Sequence, residues 1–120
     1  MPAIIVVDDD PDVLATLGNV LKAAGHSVVL AGGGIEALNV LDTGRPFDLL
    51  LTDVIMPGLN GFNLARMARI RRPALKILYL TGWFETAEMT LDQGEKYGRL
   101  LKKPILPADL RREVSAALAE

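Results

Sequence analysis

Cysteine is absent from this 120-residue chain. That excludes a disulfide framework and any thiolate metal site. A surplus of positive charge is also missing. The formal net charge is -2, which argues against nucleic acid as a direct partner. No apolar run approaches the roughly 18 residues that a membrane span needs. The N-terminal stretch AIIVV runs straight into DDD, and is too short and wrongly flanked for a signal peptide. Linkers, internal repeats and low-complexity segments are lacking as well. What is present is an ample supply of apolar residues, 50% of the chain, enough for a real core. The expectation is one cytoplasmic domain over residues 1–120.

Five short apolar runs alternate with longer amphipathic segments. The runs are Ala3–Asp8, Ser27–Ala31, Asp48–Asp53, Leu75–Thr81 and Gly98–Lys103. The first and third are nearly continuous Val, Ile and Leu, the pattern of strands covered on both faces. After the first run, Val13, Leu14, Leu17, Val20, Leu21 and Ala24 keep helical spacing. Asp10 suits the N-cap of that helix, Pro11 its first position and Gly25 its end. Ile35, Ala37, Leu38 and Leu41 mark a second helix, stopped by Gly44 and Pro46. Phe62, Leu64, Ala65, Met67 and Ala68 mark a third, stopped near Pro73. A short fourth helix is expected around Glu85 to Leu91, and a fifth from Pro107 to the end. This (βα)5 alternation predicts an α/β fold, one parallel sheet with helices on both faces. Right-handed crossovers favour the flavodoxin-like, doubly wound order 2-1-3-4-5. Its ligand site lies outside the carboxyl ends of strands one and three.

Under that topology polar groups converge on one edge. Strand one ends in Asp8, Asp9 and Asp10, strand three in Asp53, strand four in Thr81, and strand five in Lys103, just before Pro104. Each has a plain explanation alone: an aspartate favours a helix N-terminus, a threonine satisfies a strand end, and a lysine is solvated. Together they demand more. Clustered carboxylates repel unless a cation joins them, and oxygen-only donors with retained waters suit Mg2+. A carboxylate beside a metal can act as a nucleophile toward phosphorus. The set matches phosphoryl transfer: Asp53 attacks, Mg2+ neutralises the phosphoryl oxygens, and Lys103 and Thr81 bind the oxygens that remain. The loop TDVIMPGLNG follows Asp53, so no helix begins there for Asp53 to cap. Met56, Pro57 and Gly58 read as turn formers. Lys102 points to the opposite strand face from Lys103 and is read as a surface residue.

The stretches VVDDD, LLLTDVIMPGLNG, LTG and KKPI resemble the receiver domain of bacterial two-component response regulators. The resemblance covers the whole chain. It implies that Asp53 accepts a phosphoryl group from a sensor histidine kinase or a histidine phosphotransfer protein. It implies Mg2+ bound by Asp9, Asp53 and the backbone carbonyl of Ile55, with Asp8 acting through water. Thr81 and Lys103 would change position or partners on phosphorylation. The face offered to a downstream protein, a fused output domain or a second copy of the chain would change with them. Such a domain is a regulatory phosphoacceptor, not an enzyme. Two departures bear on output. Many receivers carry Tyr or Phe three residues before the lysine, where this chain has Leu100. EKYG precedes the fifth strand, where small residues are common.

Other readings compete. A haloacid-dehalogenase-like phosphatase would use Asp8 as nucleophile and Asp10 as general acid. That family has Thr or Val four residues after the nucleophile, where Asp12 stands, and has an acidic pair that is missing after Lys103. A receiver-like module that never takes phosphate would not need the intact set. A flavodoxin-like cofactor binder would need a Gly- and Ser/Thr-rich phosphate loop in place of DDDPDV. Trp83, two residues past Thr81, is expected at the rim of the site. The output face is expected on the fourth helix, fifth strand and fifth helix. His26 is read as a surface residue and RIRRP (Arg69–Pro73) as a solvated helix end. The chain is either a single-domain regulator or a receiver from a longer protein.

Overall fold

Strands form at the Val-, Ile- and Leu-rich runs, and helices at the amphipathic segments between them. The computed structural model describes residues 1–82 and 97–120. In chain order these hold β1 (Ala3–Val7), α1 (Pro11–Ala23), β2 (Ser27–Ala31), α2 (Gly34–Leu41), β3 (Leu49–Asp53), α3 (Gly61–Arg71), β4 (Lys76–Thr81), β5 (Gly98–Lys102) and α4 (Pro107–Ala119). The last is the helix expected fifth. The helix expected around Glu85 to Leu91 lies outside the described residues, as do Trp83, Phe84 and the first two residues of EKYG. Among the described residues no helix is long and apolar enough to cross a membrane.

The five strands form one parallel sheet in the order β2-β1-β3-β4-β5, the doubly wound topology expected from the alternation. Successive strand side chains point to opposite faces, so each strand feeds two cores. Ile5, Val7, Leu50 and Tyr79 pack with Leu38, Leu64 and Ala68 of α2 and α3. Ile4, Val6, Leu51 and Leu78 pack with Leu17 and Leu21 of α1 and with Leu110 and Val114 of α4. Central β3 is buried at every position. Leu30 on edge strand β2 remains 39% exposed.

Local chemistry sets the helix ends. Asp10 caps α1, accepting from Asp12 N at 2.9 Å and Val13 N at 3.4 Å, with Pro11 in the first turn. Gly25 follows α1 at φ +97°, a conformation that costs glycine no Cβ clash. α3 begins only at Gly61, capped by Asn60 through its bond to Asn63 N at 2.9 Å. Asp53 therefore caps no helix.

Three expectations need correction. Met56 is more than a turn former: it is buried in the α2–α3 core, because the loop after β3 folds back over the sheet edge. RIRRP is not simply solvated. Arg71 Nε pairs with Asp42 Oδ1 at 2.7 Å, Arg72 donates to the carbonyls of Leu41 and Arg45, and Arg69 lies over the Tyr97 ring, Cζ 5.6 Å from its centroid. Carbonyls at and just beyond the end of α2, the Asp42 carboxylate and an aromatic face supply the partners that a one-dimensional reading could not see. His26 is half-buried, and its Nδ1 is buried without a hydrogen-bond partner among the described residues.

Candidate functional site

β1 and β3 are neighbours, yet α1 leaves toward one face and α2 and α3 pack on the other. The carboxyl ends of the two strands therefore flank an open crevice. Asp8 and Asp9 directly follow β1, and Asp53 ends β3. One carboxylate oxygen from each lies within 4.8 Å of those of the other two. Asp8 is 1% exposed and Asp53 8%, while Asp9 is open to solvent.

Lys103 reaches this cluster from the end of β5. Its Nζ lies 3.0 Å from Asp8 Oδ2 and 3.3 Å from Asp53 Oδ2, a single cation shared by two carboxylates. The other oxygens are held by the backbone: Asp8 Oδ1 accepts from Asp10 N at 2.9 Å and Asp53 Oδ1 from Val54 N at 2.8 Å. Burial pushes the Asp53 carboxyl above the ordinary aspartate range, and the neighbouring Asp8 charge adds to this, while Lys103 pulls the other way. Burial works against the charge on Lys103, but its bonds to Asp8 and Asp53 win and hold the ammonium above its usual value. Three carboxylates facing one ammonium leave the cluster net negative, which suits it to a further cation.

Thr81 ends β4, fully buried. Its carbonyl accepts the Lys103 N–H at 2.7 Å, so β4 fixes the base of the lysine. Lys102 is exposed, as strand alternation required. The structure thus brings Asp8, Asp9, Asp53 and Lys103 together, with Thr81 at the adjoining strand end. Ile55 lies two residues past Asp53 in the following loop, its side chain about half exposed.

Two residues that the sequence reading passed over hold the backbone around Asp53. Thr52 is fully buried, and its Oγ1 donates to the Asp53 carbonyl at 2.8 Å. Gly61 donates its N–H to the Val54 carbonyl at 2.8 Å, and a Cβ there would overlap the Asp53 carbonyl oxygen. Gly61 stands in the MPGLNG stretch, where only Met56, Pro57 and Gly58 were read as turn formers. Its close approach to Asp53 was not visible, because that contact joins residues eight positions apart.

Every side-chain donor in the cluster is oxygen, with one exposed member to admit solvent. That chemistry fits a hard, partly hydrated cation such as Mg2+. Fold and site define a class: a doubly wound α/β module with an acidic pocket and a lysine at its switch point. Within that class the chain belongs to the response regulator receiver domain family, whose family model matches residues 4–115. It is 35% identical to the response regulator receiver protein CpdR of Brucella abortus, over 98% of each chain. It is 34% identical to the DNA-binding response regulator MtrA of Mycolicibacterium smegmatis, covering 96% of this chain but only 50% of MtrA. The chemotaxis protein CheY4 of Vibrio cholerae superposes with a TM-score of 0.88 at 27% identity, over 98% of each chain. A receiver domain protein of Clostridium thermocellum gives 0.89 at 25% identity, over 99% of this chain and 95% of that one.

Proposed function

We propose that residues 1–120 form one cytoplasmic receiver domain, switched by phosphorylation of Asp53. The donor is a phosphohistidine on a sensor kinase or a histidine phosphotransfer protein. An Asp53 carboxylate oxygen attacks phosphorus. The P–N bond breaks, its electron pair stays on the imidazole nitrogen, and an acyl phosphate forms. Lys103 trades its contact with Asp53 for a phosphoryl oxygen, and the Thr81 hydroxyl donates to another. Asp8, Asp9, Asp53 and the Ile55 carbonyl would hold Mg2+, which supplies neutralising charge for the transferring group. The altered partner face then meets a downstream protein, a fused output domain or a second copy of the chain.

The observation that carries this reading is the three-carboxylate cluster bridged by Lys103. It also weighs against Asp8 as a phosphatase nucleophile. Asp8 is the more closed of the two carboxylates, 1% exposed against 8% for Asp53. A donor has an approach: an apolar groove lined by Val13, Leu17, Leu80, Pro104 and Ile105 runs beside Lys103.

Incubation with acetyl phosphate and Mg2+, followed by intact mass, tests the assignment. A single base-labile phosphoryl adduct is expected, absent from Asp53→Asn. Equal labelling of that variant overturns it.

A further inference from the structure

The α3 side of the sheet contains a phenol that the phosphoryl chemistry does not use. Tyr79 is fully buried on β4, and its hydroxyl has no hydrogen-bond partner among the described residues. Arg69 of α3 has the same defect: its Nε is buried and unpaired. An unsatisfied buried polar group is costly, so two together call for an explanation. These two are complementary. Arginine Nε–H can only donate, and a phenol oxygen can accept. They also flank the same ring: Arg69 lies over Tyr97, and Tyr97 packs against the core that holds Tyr79. One hydrogen bond would satisfy both, yet it is not made. The guanidinium lies instead over the ring of Tyr97, next to the first residue of β5.

Tyr79 is tied to the acid cluster on two sides. It stands two residues before Thr81 on the same strand. Its ring meets Phe62 edge-on, centroids 5.1 Å apart and planes at 65°. Phe62 follows Gly61, which is packed on the Asp53 carbonyl. Arg69 is seven residues beyond Phe62, two turns along α3 and on the same face. A movement of the loop after Asp53 therefore reaches both members of the pair through one helix. Leu100, paired with Tyr79 in the sheet register, has no hydroxyl of its own.

We propose that Arg69 and Tyr79 form an internal two-state latch: Arg69 rests on Tyr97 in the unphosphorylated chain and bonds to the Tyr79 hydroxyl in the phosphorylated one. The latch rests on Asp53 being the phosphoacceptor and adds a device that reports its state. Each state keeps one favourable contact for the guanidinium, so a small bias from the site can move the balance. The β4 hydroxyl then does what Leu100 cannot.

The chain has two tyrosines, so ring-labelled tyrosine gives two carbon NMR signals, and Tyr97→Phe assigns them. Beryllofluoride with Mg2+ is expected to shift the Tyr79 signal in the parent and not in Asp53→Asn. Arg69→Met should abolish the shift. Arg69→Leu, which has no hydrogen-bond donor in its side chain, should abolish it too and serves if the methionine variant does not fold. Acetyl phosphate labelling, read by mass, runs alongside. Normal labelling of Asp53 with a still Tyr79 signal, or a shift that survives both Arg69 variants, overturns the latch and leaves the phosphoacceptor standing. A shift in Asp53→Asn overturns it as well. Failure of Asp53 to label overturns both.

Discussion

At Asp53, burial and charge pull in opposite directions, and burial wins. A carboxyl whose folded pKa is raised is destabilising when ionised. Its penalty is full above the folded pKa and vanishes once the group is protonated in both states. Asp53→Asn should therefore stabilise the metal-free chain at neutral pH. The gain should shrink as pH falls toward 3.8, the ordinary aspartate value. Urea unfolding across a pH series checks this, and a gain that grew toward acid would contradict it. Gly61 poses a steric question instead. With the Asp53 carbonyl where a Cβ would sit, Gly61→Ala must displace the loop, at a cost of about 1–3 kcal/mol typical of overpacking. It should also slow labelling of Asp53 by acetyl phosphate. A variant that unfolds and labels like the parent would show that the loop gives way freely.

Among the elements, α1 and the turn from β5 into α4 frame the groove beside Lys103. On the proposed mechanism a phosphohistidine on a protein would approach Asp53 past this rim, whereas acetyl phosphate needs no docking surface. Ile105→Ser should therefore lower the ratio of labelling rates, protein donor over acetyl phosphate, by roughly tenfold, or about 1.4 kcal/mol. An unchanged ratio would place docking elsewhere. The sequence pattern showed each element but not how the elements grip one another. Arg71 and Arg72 sit at the end of α3 as cations should, yet their partners are Asp42 and the carbonyls of Leu41 and Arg45. Those partners lie about thirty residues away in the chain and become neighbours only when α2 and α3 pack side by side.

For the molecule as a whole, the acid cluster links folding to metal. A cation that binds the folded chain and not the unfolded one stabilises it in proportion to the logarithm of its concentration. Mg2+ should raise the melting temperature, EDTA should reverse the rise, and Asp9→Ala should blunt it, since Asp9 is the solvent-facing member of the cluster. Melting curves unchanged by millimolar Mg2+ would remove the metal from the proposed mechanism.

The sequence alone determined the alternation of strands and helices, because hydrophobic period and cap chemistry act within a few residues. It also determined which residues stand at strand ends, and topology rules turned that into a site: Asp8, Asp9, Asp53, Thr81 and Lys103 were all legible there. Tertiary structure decided what those residues touch. Lys103 bridges Asp8 and Asp53, Gly61 presses on the Asp53 carbonyl, and Met56 turns inward. The orphaned Tyr79 hydroxyl is the clearest case. A tyrosine in KILYLT reads as one more apolar strand residue. Its hydroxyl lacks a partner among the described residues because the strand is buried, with Phe62 of α3 packed edge-on against the ring. Local pattern is a property of neighbours in the chain, whereas desolvation and pairing are properties of neighbours in space.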